Sequence, residues 1–162
     1  MKENFKGHEE EASTPPELIT NSIAKVEKML EKHFPDHLKF DEGNYTITRG
    51  STQVMIVVRP FTRDETCVEF FSHVASKADI NNELMRFLLR KNAELHFGAF
   101  GLLFDDTIVF SHSIAGTNMD DNEFTTALNS VAVIADHYDD VIVEMAGGLR
   151  ALDDVDEDML EN

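Results

Sequence analysis

Leu84-Met85-Arg86-Phe87-Leu88-Leu89-Arg90-Lys91-Asn92-Ala93-Glu94-Leu95-His96-Phe97-Gly98-Ala99-Phe100-Gly101-Leu102 is the stretch on which the fold turns. Its first half has the period of a helix. With Asp79 as the cap, Ile80, Leu84, Phe87, Leu88 and Lys91 trace one face, and Met85 and Leu89 lie beside it. That apolar surface is broader than contact with one neighbour requires. The second half, Gly98 to Phe104, has the period of a strand, with Phe100, Leu102 and Phe104 alternating on one face. Gly98 and Gly101 lack the spacing and the Lys-Ser/Thr of a phosphate loop. They read as positions of close backbone packing or a bulge.

Upstream, Thr14-Pro15-Pro16-Glu17 predicts a helix start, with Thr14 as cap and Glu17 reaching back to it. Ile19, Ile23, Val26 and Leu30 follow at helical spacing, and Pro35 stops the helix near His33 or Phe34. Three strands are predicted next: Tyr45 to Thr48, Gln53 to Val58, and Cys67 to Ala75. In the last, Val68, Phe70, Ser72 and Val74 share one face, while Cys67, Glu69, Phe71 and His73 share the other. The short connections favour an antiparallel meander. Downstream, Thr107 to Ile114 predicts a strand joined to the preceding one by an Asp105-Asp106 turn. Asp120 and Glu123 form a capping box for a closing helix, with Met119 stapled to Phe124, a stripe from Phe124 to Met145 and a Gly147-Gly148 stop. The expected fold is α+β, in the order α-β-β-β-α-β-β-α, an antiparallel sheet packed against helices.

The chain has 162 residues and a formal net charge of −17. Residues 1–17 carry −3, residues 18–149 carry −9 and residues 150–162 carry −5. The reading is a single domain over 14–148 between two acidic, mobile arms, 1–13 and 149–162. Such a field opposes binding to nucleic-acid backbones and anionic lipid. No apolar run approaches the roughly 20 residues of a membrane span. The N-terminal stretch is polar, without the apolar core of a signal peptide, and Cys67 has no second cysteine to pair with. A soluble cytoplasmic protein is expected.

The 84–102 stretch resembles a pattern of the YbjN family and the related class I type III secretion chaperones, an L-x-x-L-L-x-x-N helix end running into an F-G-x-F-G strand. The closing helix is similar too, at Glu123-Phe124, Ala127-Leu128, Val131-Ala132 and Ala135-Asp136. The resemblance covers roughly residues 17–147. It implies a domain, often a homodimer, that binds partner polypeptide segments without chemistry. In secretion chaperones an unfolded effector segment wraps around the dimer. YbjN members are linked to regulation and to stress or sensory responses. Nothing here marks a cognate secreted effector, so only the fold and the peptide-binding tendency carry over.

The residues themselves offer little chemistry. His33 and His37 have metal-pair spacing, but Pro35 breaks the helix that would align them. Asp120-Asp121-Asn122-Glu123 lacks the glycine and length of a calcium loop, and capping explains it. Cys67 has no basic neighbour in sequence to activate it. Asp139-Asp140 and Glu144 read as the solvated side of the closing helix. No catalytic, metal or cofactor-binding residue is assigned, and no enzyme is expected.

Two functional classes remain. One is a protein- or peptide-binding module, chaperone-like or regulatory. Twelve Phe and seven Met provide adaptable apolar surface beyond core filling. Met55, Phe71, Met85 and Leu89 each lie off the better-defined face of their element. They are the candidate partner or dimer contacts, with the second helix packing on its symmetry mate. The other is a small-ligand or enzymatic domain with a pocket between sheet and helix near His73 and His112. A variant of the first has the acidic domain restraining a basic partner.

Overall fold

The computed structural model describes residues 14–153. The elements run α1 (Pro16–His33), β1 (Leu38–Asp41), β2 (Asn44–Arg49), β3 (Thr52–Pro60), β4 (Thr66–Ser76), α2 (Asn82–Glu94), β5 (Ala99–Leu102), β6 (Ile108–Ala115), α3 (Asp121–Ala146) and β7 (Leu149–Arg150). All strand pairs are antiparallel, in the spatial order β1-β2-β3-β4-β6-β5, with β7 paired to the end of β4. Inserting α2 after β4 lets β6, not β5, take the place beside β4.

The alternation in β4 sets the layers. Val68, Phe70, Ser72 and Val74 are buried, while Cys67, Glu69, Phe71 and His73 face the other way. The α3 stripe of Phe124, Ala127, Leu128, Val131 and Ala135 lies over the buried side. An aromatic chain joins the pieces. Phe124 meets Phe70 with ring centroids 5.3 Å apart and Phe34 at 6.5 Å. Phe100 meets Phe110 at 4.9 Å and Tyr138 at 5.3 Å, and Phe87 meets Tyr138 at 6.1 Å. Edge-to-face geometry of this kind adds to what burial alone contributes.

The capping box at Asp120 and Glu123 is formed, Met119 and Phe124 are both buried, and Gly147 ends α3 at φ +70°. The Asp105-Asp106 turn is closed by Asp106 N–H donating to the Leu103 carbonyl, with Asp106 at φ +65°.

Several expectations are corrected. Thr14 does not cap α1. Its hydroxyl donates to the Thr62 carbonyl at 2.6 Å and accepts from Phe61 N–H at 3.0 Å, so it fastens the chain to the β3–β4 loop. Asp79 does not cap α2 either. Its N–H donates to the Ala146 carbonyl, and the Asn81 side chain caps instead by accepting from Leu84 N–H. Four strands precede α2, not three, because Leu38–Asp41 joins the sheet as β1. Leu149 and Arg150, placed in the C-terminal arm by composition, pair with Ser76 and Ala75 as β7. The expected mobility of 1–13 and of 154–162 lies outside the described residues. Asp139 is not solvated but 2 % exposed, and its carboxylate accepts from the Ser51 hydroxyl at 2.7 Å.

Glu65 ties the start of β4 to the β6–α3 turn by accepting from Thr66 N–H at 2.9 Å and Thr117 N–H at 2.7 Å. Burial alone would raise its pKa, but these bonds hold it below the ordinary 4.5. Asp121 is likewise held low, first by Lys32 and then by His33. A carboxyl lowered on folding stabilises at pH above its unfolded value, and this is lost as pH falls through its folded value. Urea midpoints are therefore expected to fall below about pH 4.5, with a shallower acid limb in Glu65→Gln. Phe124→Ala is expected to cost about 3–5 kcal/mol in urea unfolding.

Candidate functional site

Among the described residues, no element packs on the second face of the sheet. Residues directly opposite in an antiparallel pair share a face, so the register defines its rows. One row crosses six strands: Leu38, Thr46, Met55, Phe71, Ser111 and Ala99. The next is Asn44, Val57, Glu69 and Ser113, and beyond it lies Arg59, Cys67 and Ala115. Met55 and Phe71 are half-buried by their neighbours, and Ser111, Ser113 and Ala115 are exposed.

Two hollows lie along β4 and β6 on this face. One of about 460 Å³ is lined by Arg59, Phe61, Cys67, Glu69, Ser113 and others. The second, about 270 Å³, is lined by Glu69, Phe71, Leu103, Val109, Ser111 and Ser113. They share Glu69 and Ser113, so they form one groove. The four steps from Cys67 to Phe71 span about 13 Å at strand rise. Glu69, mid-groove, is bonded by Arg59 Nε at 2.5 Å, which offsets its charge. Burial pushes the Cys67 thiol up, although a hydrogen bond with Ser113 works the other way. A mostly neutral, apolar groove with polar hydroxyl walls can hold an extended chain, but it has no activated nucleophile.

The four candidate residues divide into two pairs. Met55 and Phe71 stand directly opposite each other on the open face, with Phe71 lining the groove. Met85 and Leu89, one turn apart on α2, are 41 % and 70 % exposed. Near them in sequence, Phe97, Leu102 and Leu103 are also exposed. Val57, Val109, Leu38 and Phe40 belong to the apolar surface of the sheet and its edge but were not singled out. For Leu38 and Phe40 the signal was available in the apolar-polar alternation of Leu38-Lys39-Phe40-Asp41.

His73 and His112 do not meet. Their strands pair, but His73 stands opposite Val109 on the open face. His112 stands opposite Phe70 on the helix side, with its ring 5.9 Å from Phe97. Burial holds the His112 pKa below its usual value. A joint pocket between sheet and helix is therefore ruled out for this pair. Among the described residues, no group of three or more His, Cys, Asp or Glu is placed to hold a metal ion, and no helix is long and apolar enough to cross a membrane.

Cys67 is expected to react with iodoacetamide at pH 8 more slowly in the folded chain than in urea, because burial limits both access and ionisation. Equal rates would contradict this placement.

Residues 21–154 match the family TY-Chap1, described as "T3SS (YopN, CesT) and YbjN peptide-binding chaperone 1". No curated protein sequence matches the chain. Three solved complexes share the fold. The ExsC–ExsE complex matches at 15 % identity with a TM-score of 0.58, over 74 % of this chain and 95 % of that one. The Yersinia pestis type III secretion chaperone SycH, with a stable fragment of YscM2, matches at 16 % and 0.52, over 70 % and 96 %. The HopA1–SchA chaperone–effector complex matches at 10 % and 0.55, over 76 % and 94 %.

Proposed function

The chain belongs to the TY-Chap1 family of peptide-binding chaperones, and on that premise we propose that the open sheet face is where it holds an extended segment of a partner protein. The observation that carries this reading is the uncovered row from Leu38 through Met55 and Phe71 to Ala99. Its apolar side chains supply affinity, and the groove along β4 and β6 supplies direction. The protein acts as a soluble, cytoplasmic binding module with no chemistry of its own, chaperone-like or regulatory in effect.

Affinity capture from the native lysate, followed by mass spectrometry, tests this. Wild type is expected to retain a partner that Met55→Asp/Phe71→Asp does not, since a charge at a central apolar anchor costs about tenfold or more in affinity. The bound partner is expected to slow alkylation of Cys67 at the groove wall. Retention by the double variant, or an unchanged Cys67 rate in the complex, would move the binding site elsewhere. Recognition through apolar area also predicts little loss of affinity at high salt. The alternative, an acidic domain restraining a basic partner, predicts strong salt sensitivity.

The protein works as a homodimer in this reading, with α2 packing on its symmetry mate. Its support is the exposed Met85–Leu89 stripe. Light scattering at tens of micromolar is expected to give twice the chain mass for wild type and the single-chain mass for Met85→Asp/Leu89→Asp.

A further inference from the structure

In an antiparallel ladder, alternate residues turn their N–H and C=O to one neighbour, and the residues between turn them away. Among the described residues, β5 has a strand on one side only. Its outward-facing backbone groups at Phe100 are nevertheless occupied. Phe100 N–H donates to Asn92 Oδ1 at 2.7 Å, and Asn92 Nδ2 donates to the Phe100 carbonyl at 3.1 Å. One carboxamide thus supplies the acceptor and the donor that a neighbouring strand would supply.

Both ends of this contact are anchored. Asn92 lies in the last turn of α2. The Phe100 ring is buried against Phe110 and Tyr138. The contact falls near the middle of a strand of only four residues, so a strand added to β5 would have to displace it. The flanks give β5 reason to attract one. Phe97, Leu102 and Leu103 are exposed and apolar, and a free strand edge of that composition pairs readily with other chains. Among the described residues, no side chain closes the backbone of β1, the opposite edge, in this way.

We propose that Asn92 is a lock on the β5 edge. It denies that edge to strand addition by another polypeptide, including a second copy of this chain, and so confines extended partners to the open face and the β1 edge. The confinement rests on the peptide-binding reading above, whereas the lock itself does not.

The test uses the full chain carrying Asn92→Ala or Asn92→Asp, with backbone hydrogen exchange read by NMR and mass read by light scattering. Alanine is well tolerated within helices, so α2 is expected to persist. In Asn92→Ala, exchange at the Phe100 amide is expected to rise about tenfold or more as its hydrogen bond is lost. The variant is also expected to associate beyond the wild-type mass. Adding Leu102→Lys, a charge on the freed edge, is expected to return the mass to wild type while Phe100 exchange stays fast. Asn92→Asp keeps an acceptor for the Phe100 N–H and is expected to keep most of its protection. A folded Asn92→Ala variant with unchanged Phe100 exchange or unchanged mass would overturn the lock, as would association that Leu102→Lys leaves in place. These readouts need no partner, so failure of wild type to capture one would count against the peptide reading alone.

Discussion

Phe70 and Phe71 are neighbours in β4, and the pleat sends them to opposite faces. Phe70 is fully buried beneath Phe124, so Phe71 must emerge on the far side. The same applies to Ile56 and Met55 on β3 and to Phe110 and Ser111 on β6. The 26 residues of α3 extend about 39 Å at helical rise, enough to cross several strands, and it packs on one face only. With three helices spent on the core side, the described residues form a two-layer structure in which no helix lies on the second sheet face. The open groove follows from this layer count and from strand periodicity.

Polar anchors hold that arrangement in register. At the start of α3, Asp121 meets Lys32 and His33 of α1. Farther along, Asp136 accepts from Ser51 N–H at 2.8 Å, and the single proton of the Ser51 hydroxyl is shared between Asp136 Oδ1 at 2.8 Å and Asp139 Oδ2 at 2.7 Å. The β2–β3 turn is thereby attached to the helix above it. Gly50 makes this approach possible. It sits at φ +58°, and a Cβ there would lie 2.3 Å from Asp136 Oδ1. A buried carboxylate is costly unless its hydrogen bonds are met, and Asp139 also accepts from the Asp140 N–H at 2.5 Å. These contacts hold the β2–β3 turn against α3, on the side of the sheet that the Phe70–Phe124 core already sets.

The division of β4 into two faces, the capping box at Asp120, the glycine stop of α3 and the family itself were legible from residues and their order. Those features depend on local period or local hydrogen bonds. What escaped depends on tertiary partners. Asp79-Ile80-Asn81 offers two possible caps, and the choice falls to Asn81 because Asp79 is engaged by the end of α3. The Asp139-Asp140 doublet reads as solvent-facing until Ser51 is brought to it. His73 and His112 would be neighbours only if β4 paired with β6 in the right register; the strands do pair, but the register sets His73 opposite Val109 and His112 opposite Phe70. Met55, Phe71, Met85 and Leu89 lie outside the buried core cluster. Their division between sheet groove and helix stripe needed the fold, because α2 and the sheet are joined by chain turns that leave no periodic trace.

The charge distribution bears on what the groove can accept. α3 carries six carboxylates and no Lys or Arg, so much of the negative field arises on the helix layer, away from the open face. In the groove itself, Glu69 is met by Arg59, Glu65 is held by the Thr66 and Thr117 N–H groups, and the other lining side chains are apolar or hydroxyl-bearing apart from the Cys67 thiol. The two faces therefore do different work. The acidic surface of α3 opposes anionic surfaces at long range, which suits a protein that exposes apolar side chains. In the peptide-binding function proposed above, the groove selects at short range by shape and apolar contact. A segment dense in carboxylates would be repelled on approach and find no free cation in the groove to compensate. An extended segment with apolar side chains on one face meets neither obstacle, and it matches the period-two spacing of the sheet on which it would lie.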